Sequence, residues 1–352
     1  MNLFEEDADQ DAGAPPLPEA GDGLAEPRLM RHLYGCGQIE EMLAGLAQEN
    51  RIPHAMIFSG PAGIGKATMA FRFARFLLSG SEIFDIPAEN KTFRQIAALG
   101  HPDLIYIELP EGKTIMPVEE VRKVNPFLRM TSSGGGWRIA IVDDADMMNR
   151  SSQNALLKIL EEPPDNALLI LVAHRPGALI PTIRSRCRVI NFRPLGPEDM
   201  NAVMRMSPEF AELDNTKQQS LLDIAGGSPG RALKYLESGS LEMMDALETL
   251  LGKLPVIDWI KVHYLADSLA GQKQLAAYRN FQEIMLLKMQ ASAKDKAISG
   301  KTGFLSDNYT LEEMSEICEK LEQHFARANT ANLDKKQTVL GAFMILKSMG
   351  NR

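Results

Sequence analysis

The sequence predicts an α/β chain built on a parallel sheet and continued by helices, and three observations carry that prediction. Fully apolar runs alternate with helical patterns from Arg28 to Pro194, a glycine-rich turn separates the first run from its helix, and past Pro194 no strong strand pattern returns. Apolar runs separated by helices indicate strands that lie parallel and are covered on both faces.

In chain order, "HAMIFSG" (54–60) reads as a strand ending in Ser-Gly, and "KATMAFRFARFLL" (66–78) as the helix after it. A second strand, "DLIYIEL" (103–109), leads to a helical stretch, "VEEVRKVNPFLRM" (118–130), expected to be interrupted by Pro126. "RIAIVDDAD" (138–146) is a strand running into acids, and "SSQNALLKILEEPP" (151–164) a helix capped by serine and stopped by two prolines. "ALLILVAH" (167–174) and "RVINF" (188–192) complete at least five strands. Short helices are expected over 197–238 around the punctuation "GGSPGRAL" (226–233). Residues 241–350 are helical in composition, with breaks near Pro255, at 299–304 and at 328–334. The expected divisions are a tail over 1–27, an α/β domain over 28–196, a small helical domain over 197–240 and a larger helical one over 241–352.

Composition narrows the function classes. The 352 residues, 45% hydrophobic and 24% charged, are enough for two or three domains with sizeable cores. No apolar run reaches the length of a membrane span and no basic-then-apolar leader opens the chain, so the expected location is cytoplasmic. Cys36, Cys187 and Cys318 lie far apart, which argues against a disulfide framework or a four-cysteine zinc site. The net charge of −8 belongs to the first 27 residues, which hold eight acids and no base; the remaining 38 acids balance 38 bases. Such an acidic stretch, rich in Ala, Gly and Pro, is expected to be disordered. The neutral remainder disfavours non-specific duplex binding.

"SGPAGIGKAT" (59–68) carries the most chemistry. Gly60, Pro61, Ala62, Gly63, Ile64 and Gly65 have the spacing of a loop whose backbone N–H groups surround phosphates, and Lys66 would meet the β and γ phosphates. The next residue is usually Ser or Thr, whose hydroxyl ligates magnesium; here it is Ala67. Thr68 is no substitute, because one step along a helix turns the side chain by about 100°. Asp143, at the end of an apolar strand, is the candidate magnesium carboxylate. Asp144 follows where a longer Glu would orient water, leaving its carboxylate about an ångström short. Asp146 is read as an acid on a surface turn, capping the next helix. In "PTIRSRCRVI", Arg184 and Arg186 flank Ser185; by themselves they read as solvated charges, and beside a phosphate loop as a finger for a neighbouring subunit. Cys187 reads as a small buried residue. Arg231, in "GGSPGRAL", could fold over a nucleotide or cap its own helix.

In order, "IPHAMIFSGPAGIGKAT", "HPDLIYIE", "IAIVDDADMMNRSSQNALLKILEEPP" and "TIRSRCRVINFRPL" closely resemble bacterial clamp-loader ATPases of the AAA+ class, over roughly residues 28 to 240. Ala67 and the pair Asp143–Asp144 resemble the non-motor member of that family more than its motor subunits. The resemblance implies an AAA+ P-loop sheet domain, a helical lid and a helical collar. It implies a place in the hetero-pentameric ring of the DNA polymerase III clamp loader, with the other loader subunits, the sliding clamp and primed DNA as partners. Arg186 falls on the family's Ser-Arg-Cys arginine, which completes a neighbour's ATP site in trans. The chain's own ATP site would be weak or vestigial, with little hold on magnesium and little or no hydrolysis. Some relatives carry a zinc module, but residues 69–137 contain no cysteine, so zinc is not expected. Ala173 and His174 stand where motor subunits have a polar sensor. The alternative is an autonomous AAA+ ATPase acting as a motor subunit.

Overall fold

The computed structural model describes residues 26–110, 112–271, 274–299 and 309–349. Most of the acidic tail, residues 1–25, therefore lies outside the described residues, as does most of the expected break at 299–304. The chain divides into two compact units: one runs to Ala211 and takes in Gly227–Gly230, and the other holds Glu212–Gly226 and Arg231–Arg352.

The first unit is built on β1 (Ala55–Ser59), β2 (Leu104–Ile107), β3 (Arg138–Val142), β4 (Ala167–Ala173) and β5 (Arg188–Asn191). All pairs are parallel, in the order β2-β3-β4-β1-β5, so β1 lies between β4 and β5. Its helices are α1 (Gly37–Gln48), α2 (Lys66–Ser79), α3 (Lys91–Ala97), α4 (Val118–Arg122), α5 (Val124–Arg129), α6 (Arg150–Ala155), α7 (Leu157–Glu161), α8 (Pro181–Arg184), α9 (Pro197–Met204) and α10 (Pro208–Ala211).

β1, β3 and β4 are buried at every position, and the period-two alternation of their side chains feeds two apolar layers. Ile57, Ala140, Val142, Leu169 and Leu171 enter one layer. Met56, Phe58, Ile139, Ile141, Leu168 and Ile170 enter the other, with Phe71 and Phe73 of α2. Each large side chain buried this way contributes about 1.5–3 kcal/mol. β5, at the edge, exposes Arg188, Val189 and Asn191.

Two helices differ from expectation. Pro126 lies inside α5, and the break falls at Lys123. At the third position of a helix the missing proline N–H is among the donors that have no intrahelical partner, so the ring is tolerated. The run 151–164 forms α6 and α7 with Leu156 between them, where Leu156 N–H bonds Gln153 O at 3.1 Å, a tightened turn.

The second unit consists of α11 (Asn215–Ala225), most of α12 (Pro229–Glu237), α13 (Leu241–Leu251), α14 (Trp259–Ala270), α15 (Leu275–Ser299), α16 (Leu311–Thr330) and α17 (Lys335–Met349). α14 packs on α17, and α16 on both α15 and α17. Phe281 meets Phe325 edge-on, with centroids 6.2 Å apart. A capping box between Thr310 and Glu313 starts α16. Among the described residues, none past Asn191 is in a strand and no helix is long and apolar enough to cross a membrane.

Candidate functional site

β1, fully buried between β4 and the edge strand β5, delivers the glycine loop to the carboxyl edge of the sheet and hands it to α2. That edge is where ligands bind in open α/β folds. Gly60 N–H bonds Ala173 O at 3.3 Å, joining the start of the loop to the end of β4. Gly65 caps α2 with φ +92°, and a Cβ there would collide with Leu33 Cδ1. The residue must be glycine both for its backbone and because the chain packs its own leucine against the loop. Ile64 is buried beneath it, and Ala62 and Gly63 are exposed.

A turn of the same unit closes on the outer side of the loop. Ser228 Oγ donates to Ala62 O at 2.7 Å and Gly230 N–H to Gly63 O at 2.9 Å. The sequence singles out "GGSPGRAL" for Arg231, whereas Ser228 and Gly230 are the residues bound to the loop. Arg231 belongs to the second unit, where its Nε lies 3.2 Å from Glu283 Oε1 and its Nη1 donates to Ala225 O.

Lys66 is only 2% exposed, and its Nζ donates to Pro61 O at 2.5 Å, inside its own loop. Burial pushes its amine down to about 8, against the opposing pull of Asp143, Asp146 and Asp144. Below pH 8 the native chain thus carries a poorly solvated ammonium. Between about 8 and the ordinary 10.4 the unfolded chain holds a proton that the native one lacks, so stability rises with pH across that window. Lys66→Met should stabilise the protein at pH 7 by about 1–2 kcal/mol. The gain should shrink toward pH 10. Urea denaturation at both pH values checks this, and a variant less stable at pH 7 would refute it.

The acids after β3 are held by the protein itself. Asp143 accepts Tyr106 O–H at 3.2 Å and Asp144 N–H at 2.9 Å. Burial first, then the neighbouring Asp144 charge, raise its carboxyl above the ordinary range. Asp144 has φ +46°, and its Oδ1 is 2.9 Å from His174 Nε2. The histidine therefore has an ordinary local partner, and that partner is the carboxylate in the water-orienting position. Asp146 is not the surface acid expected. Its side chain is wholly buried, accepting His174 N–H at 2.8 Å and Arg175 Nε–H at 3.3 Å. Burial alone would raise its carboxyl, but the His174 N–H, the His174 charge and Arg175 hold it below the usual range. It joins the end of β3 to the end of β4. No periodicity marks such a buried acid in a loop, and no signal in the sequence identified Tyr106.

Ala67, the second residue of α2, offers no side-chain oxygen; Thr68 is buried one residue on. Among the described residues, no group of three or more His, Cys, Asp or Glu stands where it could hold a metal ion. With no hydroxyl at residue 67, both Asp143 oxygens bonded and Asp144 paired with His174, the donor set does not fit a catalytic magnesium, and these residues support no hydrolytic step through one.

Arg186 lies between α8 and β5, exposed, as are Arg184 and Arg188. Its Nη1 donates to Thr182 O at 3.2 Å, and its Nη2 is 3.3 Å from Glu161 Oε1. Cys187 points inward, its thiol pushed up to about 12 by burial, which leaves it inert. The structure thus gathers Lys66, Asp143, Asp144 and His174 at one edge of the sheet and leaves Arg186 facing outward.

A glycine loop after β1 of a parallel β2-β3-β4-β1-β5 sheet, with paired acids ending β3, defines a P-loop α/β domain. Residues 36–196 match the family model described as DNA polymerase III, delta subunit. The chain is 35% identical over 201 residues to DNA polymerase III subunit delta' of Pseudomonas aeruginosa, covering 57% of this chain and 60% of that one. Against subunit delta' of Escherichia coli it is 29% identical over 221 residues, covering 62% and 65%. Subunit gamma/tau of Mycobacterium tuberculosis matches at 28% over 267 residues, 74% of this chain and 46% of that one. The chain thus spans less than two thirds of the length of these relatives. A Thermotoga maritima structure described as a DNA polymerase III gamma subunit-related protein is similar at 17% identity, with a TM-score of 0.45, covering 88% of this chain and 99% of that one.

Proposed function

We propose that this chain is a delta-prime-like subunit of a DNA polymerase III clamp loader. It helps load the sliding clamp on primed DNA within a hetero-pentameric ring, contributes Arg186 to a neighbour's ATP site, and has weak or no ATPase of its own. The observation that carries this reading is the contrast between its two ends: Lys66 is buried against its own loop and Asp144 is paired with His174, while Arg186, whose polar contacts among the described residues are Thr182 O and Glu161, stays exposed at the surface. In this reading residues 28–196 form the sheet domain, 197–240 the lid and 241–352 the collar. Any nucleotide is held by the loop's backbone N–H groups without magnesium, and the setting is the cytoplasm.

The test is a ring reconstituted with Lys66→Ala, which should keep its DNA-stimulated ATPase within about twofold, since this lysine would supply no transition-state charge. A collapse of activity would overturn the reading. The longer match to a gamma/tau relative favours one alternative, a motor subunit with its own turnover. DNA-stimulated hydrolysis by the isolated chain, abolished by Lys66→Ala, would establish that alternative.

A further inference from the structure

Glu161 is the last residue of α7, followed by Glu162 and two prolines. An acid at a helix C-terminus gains nothing from the helix dipole, so helix stability does not explain either carboxylate. Glu162 is tied to α5: Arg129 Nη2 donates to Glu162 O at 3.1 Å and lies 3.8 Å from its carboxylate. Glu161 goes instead to Arg186, at 3.3 Å. Among the described residues, Arg186 alone of Arg184, Arg186 and Arg188 has an ion-pair partner.

We propose that Glu161 is a positioning residue for Arg186, holding the guanidinium in the orientation in which it meets a neighbouring subunit's nucleotide phosphate. The inference rests on the trans role proposed for Arg186. Thr182 O accepts one N–H from Nη1, and the Glu161 carboxylate lies 3.3 Å from Nη2 as an ion-pair partner. A guanidinium has five N–H donors, so with one given to Thr182 O and Nη2 facing Glu161 the Nε–H and at least one hydrogen on each Nη stay free for phosphate oxygens. Two fixed contacts set the plane of the fork. An arginine free to rotate would lose much of its rotamer freedom on reaching the phosphate, whereas a held one has already lost it. The same pair ties the segment before β5 to the end of α7, so the finger is carried by two elements of the sheet domain.

The test is a mutant cycle in the reconstituted ring, read as DNA-stimulated ATPase, with ring assembly followed by gel filtration. Glu161→Ala should lower kcat by about two- to fivefold, the range an exposed ion pair allows, and leave the KM for ATP unchanged. Glu161→Gln, which keeps a polar oxygen of the same reach beside the guanidinium without the charge, should recover part of the loss. In an Arg186→Ala ring, Glu161→Ala should cost nothing further, because its effect passes through the arginine. Glu161→Ala with full activity, or with an equal loss in both backgrounds, overturns the inference and leaves the role of Arg186 standing. If Arg186→Ala itself leaves the ring fully active, that role falls and the inference with it.

Discussion

Replacing Arg186 by alanine in a reconstituted ring should abolish the ATP turnover of the one site it serves, leaving the isolated chain as stable as before. An arginine that stabilises charge on a transferring phosphoryl group is worth about 10³–10⁵ in kcat where it operates. The whole ring should therefore lose that site's share of hydrolysis, and clamp loading with it if the sites act in concert. Stability should be unaffected because the side chain is exposed and its contacts are one ion pair and one hydrogen bond at the surface. Surface changes of this kind stay within about 0.5 kcal/mol. The anchors of the segment are elsewhere: Ile183 and Cys187 are buried on either side of it. Arg186→Lys should behave nearly as badly as alanine, because an ammonium cannot keep Thr182, Glu161 and two phosphate oxygens in one planar fork. Steady-state ATPase of rings carrying each variant, with thermal melts of the free chain, measures both halves. Undiminished turnover with alanine would remove the trans role.

What the sequence made legible was whatever depends on period and spacing. The runs that became β1, β3 and β4 were the clearest, because burial on both faces leaves few polar positions to blur them. The glycine loop was legible because Gly60, Gly63 and Gly65 all have positive φ. Less visible was where polar side chains end once the chain closes. Gln153 reads as an ordinary helix residue, yet it is buried, donating to Met148 O and Ala178 O and accepting from Ile180 N–H. Asp146 reads as a surface acid and is a buried tie between strand ends. Lys66 reads as a phosphate ligand and bonds Pro61 O. Each outcome depends on partners far along the chain or on a choice between water, ligand and backbone that residue type alone does not settle.

Gly230→Ala should destabilise the protein, against the direction that local propensity predicts. Gly230 is the second residue of α12, and alanine inside a helix is better than glycine by about 1 kcal/mol. The surroundings reverse that sign. A Cβ at residue 230 would lie 2.8 Å from Gly63 Cα and 3.2 Å from Gly63 O, backbone atoms that no rotamer change can move aside. Relief requires the turn to lift off the loop, which stretches Gly230 N–H to Gly63 O and Ser228 Oγ to Ala62 O together. The turn cannot slide the other way, because Gly227 O is bound to Leu195 N–H at 2.8 Å, and a Cβ on Gly227 would meet Leu195 O at 2.5 Å. Two hydrogen bonds at about 1 kcal/mol each, with some overpacking strain and less the helix gain, give a net loss of about 2–3 kcal/mol. In a unit of this size that lowers the melting temperature by about 5–10 °C. Ser228→Ala removes one bond without a clash and should cost about 1 kcal/mol. The same melts, run with saturating ATP and no magnesium, separate two ways of holding the loop. If the turn holds it, ATP recovers none of the Gly230→Ala loss. If a nucleotide holds it as a plug, the melting temperatures of both proteins rise with ATP concentration, as ligand linkage requires.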